Sequence, residues 1–285
     1  MAATHWHLLI AKRVVENMRA SDKASPAAKL IVGFPDCFAS GSLGPDVSYY
    51  PGGDAEISRL SHGVKSIDLG RAFLNLAATD REKAYAYGWW LHIVTDIVTH
   101  ELINSLVAKK FYGGKIDSVA FYDDPLCHHR VEWGIDIFLL REKKMRAKIY
   151  DFATALGSGK EMGRLAKKAF RQTFDYSLSL NAWKDAADSM IRYTGLFKTI
   201  WRLSGRIAAR NLTIQFFKNL LYALVVFPAA RCAALRNPVA GVAIPVLQND
   251  QNGERIKAFT RRVCDYYAVC LENNFKIVKP RPLGG

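Results

Sequence analysis

Three polar residues repeat at four-residue intervals inside one of the most apolar parts of this sequence. The segment GWWLHIVTDIVTH, residues 88–100, places His92, Asp96 and His100 among Trp, Leu, Ile and Val. On an α-helix four residues advance by about 400°, so these three side chains form a stripe along one face. Burying an unpaired Asp96 would cost several kcal/mol, so the stripe needs a partner. The segment therefore predicts a helix that carries metal ligands.

Helix boundary signals flank this segment on both sides. Thr79 and Glu82 have the spacing of a capping box, which marks the start of a helix. The sequence then runs without proline to Lys110 and meets Gly113 and Gly114, which are typical of a helix end. We expect one long helix between these signals.

A second segment repeats the same spacing. Asp124 and Pro125 mark a helix start, and His128, Glu132 and Asp136 follow at four-residue intervals. Two such stripes packed face to face would bring imidazoles and carboxylates into one cavity, as in the metal sites of helix bundles. These ligand types suit zinc first and manganese or iron second. Asp136 has an alternative role, which is to pair with Lys or Arg on a neighbouring helix.

The rest of the chain also has helical character. Ser25 and Pro26 mark another helix start, and helical periods cover residues 8–19, 54–78, 160–178, 182–204, 206–227 and 252–272. No stretch shows the sustained alternation of a β-hairpin. We therefore predict an all-α fold: a multi-helix bundle with a metal cluster between helices, plus a basic helical C-terminal region.

Charge divides the chain into two parts. Residues 1–140 hold 14 Lys and Arg against 16 Asp and Glu, whereas residues 141–285 hold 26 against 10. All seven histidines lie in the first 129 residues, so imidazole chemistry belongs to the first part. We predict a metal-binding catalytic region over residues 1–150 and a basic helical region over residues 151–285 that packs on it.

The cysteines and the apolar runs of the sequence indicate the cellular compartment of the protein. The five cysteines form no C-x-x-C pair, which favours reduced thiols and a reducing compartment. The start, MAATHWHLLIAKR, lacks the order of regions of a signal peptide, and the run NLLYALVVFPAA is shorter than the roughly 20 residues of a membrane span. We expect a cytoplasmic protein, with peripheral membrane contact as an option.

Further candidate ligands precede the two stripes. They are His5 and His7 in THWHLLIAKR, Asp46 in GSLGPDVSYY and His62 in ISRLSHGV. The order of these pieces, followed by H-x-x-x-D-x-x-x-H and H-x-x-x-E, resembles the zinc-dependent phospholipase C family, whose all-helical fold is shared with P1-type nucleases. The resemblance covers residues 5–140.

The resemblance implies two or three zinc ions in one cleft. It assigns His62, His92 and Asp96 to the first ion, His100, His128 and Glu132 to the second, and His7 with a bridging Asp96 to the third. His5 is a further candidate at the third position, in place of the processed amino terminus that secreted relatives use. Asp46 would lie beside the metals and act as general base on the attacking water.

Such a cluster suits phosphodiester hydrolysis. Divalent cations lower the pKa of water and neutralise charge on a leaving oxygen. The pair of His128 and Glu132 resembles the phospholipase branch, whereas P1-type nucleases carry Asp at the position of Glu132. We therefore predict a phospholipase C that releases diacylglycerol and a phosphorylated headgroup. A P1-type nuclease or nucleotidase and a non-catalytic, membrane-associated metal-binding protein are the alternatives.

The basic second part is compatible with several partners. FKTIWRLSGRIAARNLTIQFFKNLLYALVVF, residues 197–227, interleaves Lys and Arg with aromatic and aliphatic residues. This pattern suits an anionic membrane surface, and it also suits nucleic acid, with Trp201 or Phe216 as stacking platforms. A solvated basic face of a packed helical region is the third interpretation. We favour phospholipid, or another phosphodiester, over nucleic acid as the partner.

Overall fold

The structure is a computed structural model that describes residues 4–21, 25–50, 53–141, 149, 154–204 and 250–278. Its α-helices are α1 (Thr4–Ala20), α2 (Pro26–Gly33), α3 (Pro35–Ser42), α4 (Ala55–Ser61), α5 (Ser66–Leu76), α6 (Asp80–Phe111), α7 (Pro125–Arg141), α8 (Gly163–Phe174), α9 (Leu180–Ser204) and α10 (Asp250–Glu272). Gly44–Tyr49 and Thr154–Met162 are 3₁₀ helices. These ranges contain no β-strand, so the predicted all-α fold is confirmed.

The long helix α6 is the central element. Its 32 residues correspond to a length of about 48 Å. Thr79 and Glu82 form the predicted capping box at its start, and Gly113 and Gly114 follow its end with φ angles of 65° and 70°. Positive φ is readily accessible to glycine, so the chain can leave the helix axis there. Trp89 and Trp90 are fully buried in the middle of the helix, which anchors α6 in the core.

Helix α3 crosses α6 at two glycines. A Cβ atom on Gly88 would lie 2.1 Å from the carbonyl oxygen of Phe38, and one on Gly41 would lie 2.0 Å from that of Tyr85. Only glycine fits at either position, because the two backbones are in direct contact. This close crossing brings the carbonyl oxygen of Ser42, at the end of α3, within 2.9 Å of His92 Nδ1 on α6.

Several predicted boundaries differ from the structure. The single helix expected over 54–78 is two helices, α4 and α5, which are separated by a turn at residues 62–65. The segment expected over 160–178 starts inside a 3₁₀ helix and ends earlier, at Asp175, where φ is 54°. Asp46 lies in the 3₁₀ helix Gly44–Tyr49, for which the sequence predicts no helix. The helix predicted over 206–227 lies outside the described residues.

Elements from the second part of the chain pack against the first. The Tyr267 hydroxyl on α10 donates to the carbonyl oxygen of Tyr87 at 2.8 Å, and Phe275 stacks on Trp90 with ring centroids 4.5 Å apart. The division into two regions near residue 150 stays a prediction. Across the residues that the structure describes, no helix has the length and apolar content needed to cross a membrane.

Candidate metal centre

Most of the predicted ligands lie around one interior space. α6 contributes His92, Asp96 and His100, α1 contributes His7, and His62 is the residue that ends α4. His7, His92 and Asp96 are buried, and the side chain of His62 is 14% exposed. The side chains of His92, Asp96 and His100 on α6 therefore face the interior of the protein.

The closest contact joins two imidazole nitrogens. His62 Nε2 and His92 Nε2 are 3.1 Å apart. One carboxylate oxygen, Asp96 Oδ2, lies 3.2 Å from His92 Nε2 and 3.7 Å from His62 Nε2. These three atoms are the donors that the family resemblance assigns to the first zinc ion.

Backbone carbonyls fix the orientation of both imidazoles. His62 Nδ1 lies 2.7 Å from the carbonyl oxygen of Ser58, and His92 Nδ1 lies 2.9 Å from that of Ser42. A carbonyl oxygen only accepts, so each ring donates from Nδ1 and, when neutral, presents a lone pair on Nε2. Two lone pairs and a carboxylate therefore face one another, which is a favourable arrangement only with a cation or a proton between them.

Asp96 reaches donors on both sides. Its second oxygen, Oδ1, lies 3.3 Å from His7 Nε2 and 4.0 Å from His100 Nε2. His7 also stacks on His92, with ring centroids 4.3 Å apart and 10° between the planes. Compact sets of possible ligand atoms are formed by His7, His92 and Asp96, and by Asp46, His62 and His92. The position of Asp96 between His7 and His92 is that of a bridging carboxylate.

Asp46 lies next to the facing imidazoles. Its carboxylate is fully buried, and Oδ1 lies 3.2 Å from His62 Nε2. Burial by itself raises the pKa of Asp46, but the nearby His92 and His62 lower it by a larger amount. The net result is a pKa below the usual value. The carboxylate is therefore ionised at neutral pH and can accept a proton.

The second predicted set is adjacent but less compact. His100 and His128 have ring centroids 5.0 Å apart, and His128 Nδ1 lies 3.3 Å from Glu132 Oε1. His129, one residue off the stripe, lies 3.1 Å from the other oxygen of Glu132. Burial acts to raise the pKa of Glu132, but the contacts with these two histidines help hold this pKa well below its usual range. Glu132 is thus a buried, ionised carboxylate between two imidazoles.

Asp136 and His5 contact each other. Asp136 Oδ1 accepts from the backbone N–H groups of His5 and Trp6 at 3.1 and 3.2 Å, and Oδ2 lies 2.8 Å from His5 Nδ1. Asp136 thus contacts the first turn of α1, and its alternative pairing with Lys or Arg stays a prediction. Carboxylates are favourable at such a position because the first N–H groups of a helix lack intrahelical partners. A ligand role for either residue stays a prediction.

Charge is distributed unevenly over the imidazoles. Burial lowers the pKa of His92, but Asp96 and Asp46 outweigh this effect and raise it to about 9. Burial dominates at His100 and lowers its pKa to about 4. In the absence of a metal, His92 is protonated and offsets part of the negative charge of Asp96 and Asp46, whereas His100 is neutral and keeps a lone pair.

The chemistry of these donors fits a divalent cation such as zinc. Within the described residues, buried atoms that make no hydrogen bond of good geometry include both oxygens of Asp46, Asp96 Oδ1 and His128 Nδ1. Buried polar atoms are normally hydrogen-bonded, so such a concentration indicates a missing partner. Imidazole nitrogens and carboxylate oxygens without a thiolate suit zinc.

Sequence reasoning missed the groups that orient the ligands. The carbonyl oxygens of Ser42 and Ser58 give no sequence signal, because every residue has a carbonyl. Asn104, whose amide contacts His128 at 2.8 Å, lies one turn after His100 on α6. The sequence signal that could have identified Asn104 is its four-residue spacing from His100, because residues i and i+4 share a helix face.

The fold and the candidate site together define a helical protein with a buried cluster of histidines and carboxylates between its helices. The family model for zinc dependent phospholipase C matches residues 6–188, and the chain belongs to this family. The match extends beyond residue 140, where the resemblance seen in the motifs ended.

Two proteins of Archaeoglobus fulgidus are similar to part of the chain. One, described as an uncharacterized protein, is 28% identical over 123 residues, which is 42% of this chain and 36% of that protein. The other has the same description and is 29% identical over 114 residues, 39% of this chain and 36% of its own length. The matches thus span about a third of these curated relatives. No solved structure matches the chain.

Proposed function

We propose that this protein is a zinc-dependent phosphodiesterase of phospholipase C type, which hydrolyses phospholipid to diacylglycerol and a phosphorylated headgroup. The observation that carries the proposal is the 3.1 Å approach of His62 Nε2 and His92 Nε2, with carboxylate oxygens of Asp46 and Asp96 beside them. Membership of the zinc-dependent family supports the choice of metal and of reaction class.

The ligand sets follow the family resemblance. His62, His92 and Asp96 would hold one ion, and His100, His128 and Glu132 a second. His7 would take part in a third, with Asp96 as the shared ligand and His5 as a further candidate. Zinc bound there would supply Lewis acidity, lowering the pKa of water and offsetting negative charge on the phosphodiester.

Asp46 is the proposed general base. It is fully buried, and its Oδ1 lies 3.2 Å from His62 Nε2, beside the proposed zinc ligands. An ionised carboxylate can take the proton of a water molecule as that water attacks phosphorus. Tyr49 contacts His62, with ring centroids 5.5 Å apart and 34° between the ring planes.

Phospholipid is the proposed substrate class because of Glu132. The pair of His128 and Glu132 matches the phospholipase branch, and the structure brings the two side chains within 3.3 Å. A nuclease or nucleotidase, or a metal-binding protein without turnover, would be revealed by the experiment below.

Contact with an anionic membrane surface is the second part of the proposal. Most of the basic segment 197–227 lies outside the described residues, but α8 offers a described basic face. Arg164, Lys167, Lys168 and Arg171 are exposed on this helix, whereas its apolar residues, such as Phe170, are buried in the protein. Basic residues near an anionic leaflet each contribute about 1 kcal/mol.

The test is hydrolysis by purified protein that has been stripped with chelator and reloaded with zinc. Vesicles with choline, ethanolamine, glycerol and inositol headgroups, single-stranded DNA, and bis(p-nitrophenyl) phosphate are the substrates. We expect zinc-dependent release of diacylglycerol, reduced on the order of 100-fold by Asp96→Asn. Asp68→Asn, an exposed carboxylate on α5 paired with Arg71, is the matched control and should leave the rate unchanged.

Each other outcome selects a different function. Cleavage of DNA without release of diacylglycerol would replace the phospholipase by a nuclease. Retention of zinc without hydrolysis of any of these substrates would contradict the proposed phosphodiesterase and favour a metal-binding protein without turnover.

A further inference from the structure

Asn104 links three elements next to the second ligand set. It lies on α6, one turn after His100, and its side-chain amide contacts His128 Nε2 on α7 at 2.8 Å. Its backbone carbonyl accepts from the N–H of Val119, in the segment that joins the two helices, at 3.3 Å. Asn104 is therefore placed to control the ring of His128.

The amide of Asn104 has two orientations with different hydrogen bonds. With its nitrogen towards His128, it donates to His128 Nε2 at 2.8 Å and reaches the carbonyl oxygens of His100 and Val119 at 3.2 Å each. With its oxygen towards His128, the amide accepts from His128 Nε2–H and faces the same two carbonyl oxygens without bonding to them. The first orientation makes more hydrogen bonds and is therefore the more stable one in the absence of a cation.

Each orientation fixes one tautomer of neutral His128. When Asn104 donates to Nε2, the ring proton is on Nδ1; when Asn104 accepts from Nε2–H, Nδ1 carries a lone pair. Nδ1 is the atom that faces Glu132 Oε1 at 3.3 Å, and it makes no hydrogen bond of good geometry within the described residues. A cation held by His128 Nδ1 and Glu132 therefore requires the second orientation.

We propose that Asn104 is a positioning residue that sets the tautomer of His128, and that its amide turns over when a divalent cation binds at His128 and Glu132. Without the cation, Asn104 donates to Nε2 and His128 keeps its proton on Nδ1. Cation binding moves that proton to Nε2, where the turned amide accepts it, so the number of protons on the ring is unchanged. The proposal rests on the proposed function, because it assumes that these two residues are ligands.

The amide rotation has an energetic consequence for zinc. In the first orientation the amide nitrogen donates one hydrogen to His128 Nε2 and shares the other between the carbonyl oxygens of His100 and Val119. The turned amide loses the shared bond, so part of the free energy of zinc binding is used to break it. Asn104→Asp has only acceptor oxygens and therefore favours a proton on Nε2 before the cation arrives. Because Glu132 lies at Nδ1, the ring of His128 then lies between two carboxylates, and we expect it to hold a proton on both nitrogens in the stripped variant.

The decisive measurement is ¹⁵N NMR of the histidine rings, because a merely structural role for Asn104 would not change the tautomer. The signal of His128 is assigned by its absence in His128→Gln. In chelator-stripped wild-type protein we expect the Nδ1–H tautomer, and after zinc addition the Nε2–H tautomer with a coordination shift at Nδ1. Stripped Asn104→Asp should already carry a proton on Nε2, in addition to the one on Nδ1.

Asn75→Asp is the matched control. It makes the same chemical change at an exposed position on α5, and it should leave the protonation of His128 unchanged. If Asn104→Asp does not fold, the comparison of wild-type protein with and without zinc still decides the proposal.

The failures of the two proposals are distinguishable. Zinc binding without a change of tautomer at His128 would refute the role of Asn104 and leave the proposed function intact. A His128 ring without a proton on Nε2 in stripped, folded Asn104→Asp would refute it as well. A wild-type protein that binds no zinc would refute the proposed function and the cation-driven rotation together.

Discussion

His62 and His92 face each other through their Nε2 atoms at 3.1 Å, and each ring is held from behind by a hydrogen bond from Nδ1 to a backbone carbonyl. The two residues come from different elements: His62 ends α4, and His92 lies in the middle of α6. Side chains that merely filled space would not need both tautomers to be fixed in this way. The orientation of both Nε2 atoms towards one point is therefore the feature that organises the site.

The first prediction separates the roles of the two carboxylates beside these rings. Asp96→Asn removes the bridging charge, so we expect loss of zinc and loss of turnover together. Asp46→Asn keeps the facing imidazoles and Asp96, and we expect most of the zinc to remain while turnover falls by about 100-fold or more. Metal analysis of each purified variant, paired with its rate on bis(p-nitrophenyl) phosphate, provides the comparison. Equal zinc loss in both variants would show that Asp46 is a ligand.

The second prediction concerns pH and zinc. The pKa of His92 is raised from 6.5 to about 9 by Asp96 and Asp46, against the effect of burial, so zinc must displace a proton at neutral pH. Zinc affinity should therefore rise with pH up to about 9, by up to about tenfold per unit for one displaced proton. Titration calorimetry in buffers of different ionisation enthalpy should detect the released proton at pH 7.

The same shift predicts the stability of the stripped protein. The unfolded chain binds this proton with a pKa of 6.5, so the contribution of the charged His92 is fully present below 6.5 and is lost as pH rises through about 9. Stripped His92→Gln should lack this pH-dependent term. Zinc affinity that is constant between pH 7 and pH 9 would contradict the proton displacement.

Much of the site could be predicted because helical periodicity is visible in sequence. The four-residue spacing of His92, Asp96 and His100 predicted that they share one face of α6, and in the structure the carboxylate of Asp96 lies 3.2 Å from His92 Nε2 and 4.0 Å from His100 Nε2. The break at residues 62–65 was not predicted, because the apolar period continues across it. Contacts of backbone carbonyls could not be predicted either, since they depend on how closely two helices cross.

The glycine crossing of α3 and α6 gives the third prediction. Gly88→Ala places a Cβ atom 2.1 Å from the carbonyl oxygen of Phe38, so the two helices must separate. We expect a loss of about 3 kcal/mol in the free energy of unfolding. Zinc affinity should fall too, because Ser42 moves away from His92. Gly33→Ala, where no atom lies within 4 Å of the new Cβ, is the control and should change neither denaturant unfolding nor zinc affinity.

The fourth prediction tests the basic face of α8. Replacing Lys167 and Lys168 by Glu should weaken association with phosphatidylserine vesicles by about tenfold or more, since each basic residue contributes about 1 kcal/mol. Hydrolysis of bis(p-nitrophenyl) phosphate should be unchanged. The same replacement at Lys109 and Lys110, an exposed pair at the end of α6, is the charge-matched control. Vesicle sedimentation that falls equally in both double variants would exclude a specific role for α8.

The fifth prediction distinguishes two roles for Asp136. Its carboxylate accepts from the backbone N–H groups of His5 and Trp6, and from the His5 ring, in a site that excludes water. Asp136→Ala leaves these donors unsatisfied, so we expect a loss of about 2–4 kcal/mol in the free energy of unfolding of the stripped protein. Asp136→Asn keeps one acceptor oxygen and should lose less.

Denaturant unfolding with and without zinc makes the comparison. If Asp136 holds only the start of α1, each variant loses the same free energy of unfolding with zinc as without it. The zinc content of both variants then stays at the wild-type level. If Asp136 is a zinc ligand, zinc content falls in both variants, and the stabilisation that zinc gives the wild type shrinks. The second result would show that Asp136 is a zinc ligand and would contradict a purely structural role at the start of α1.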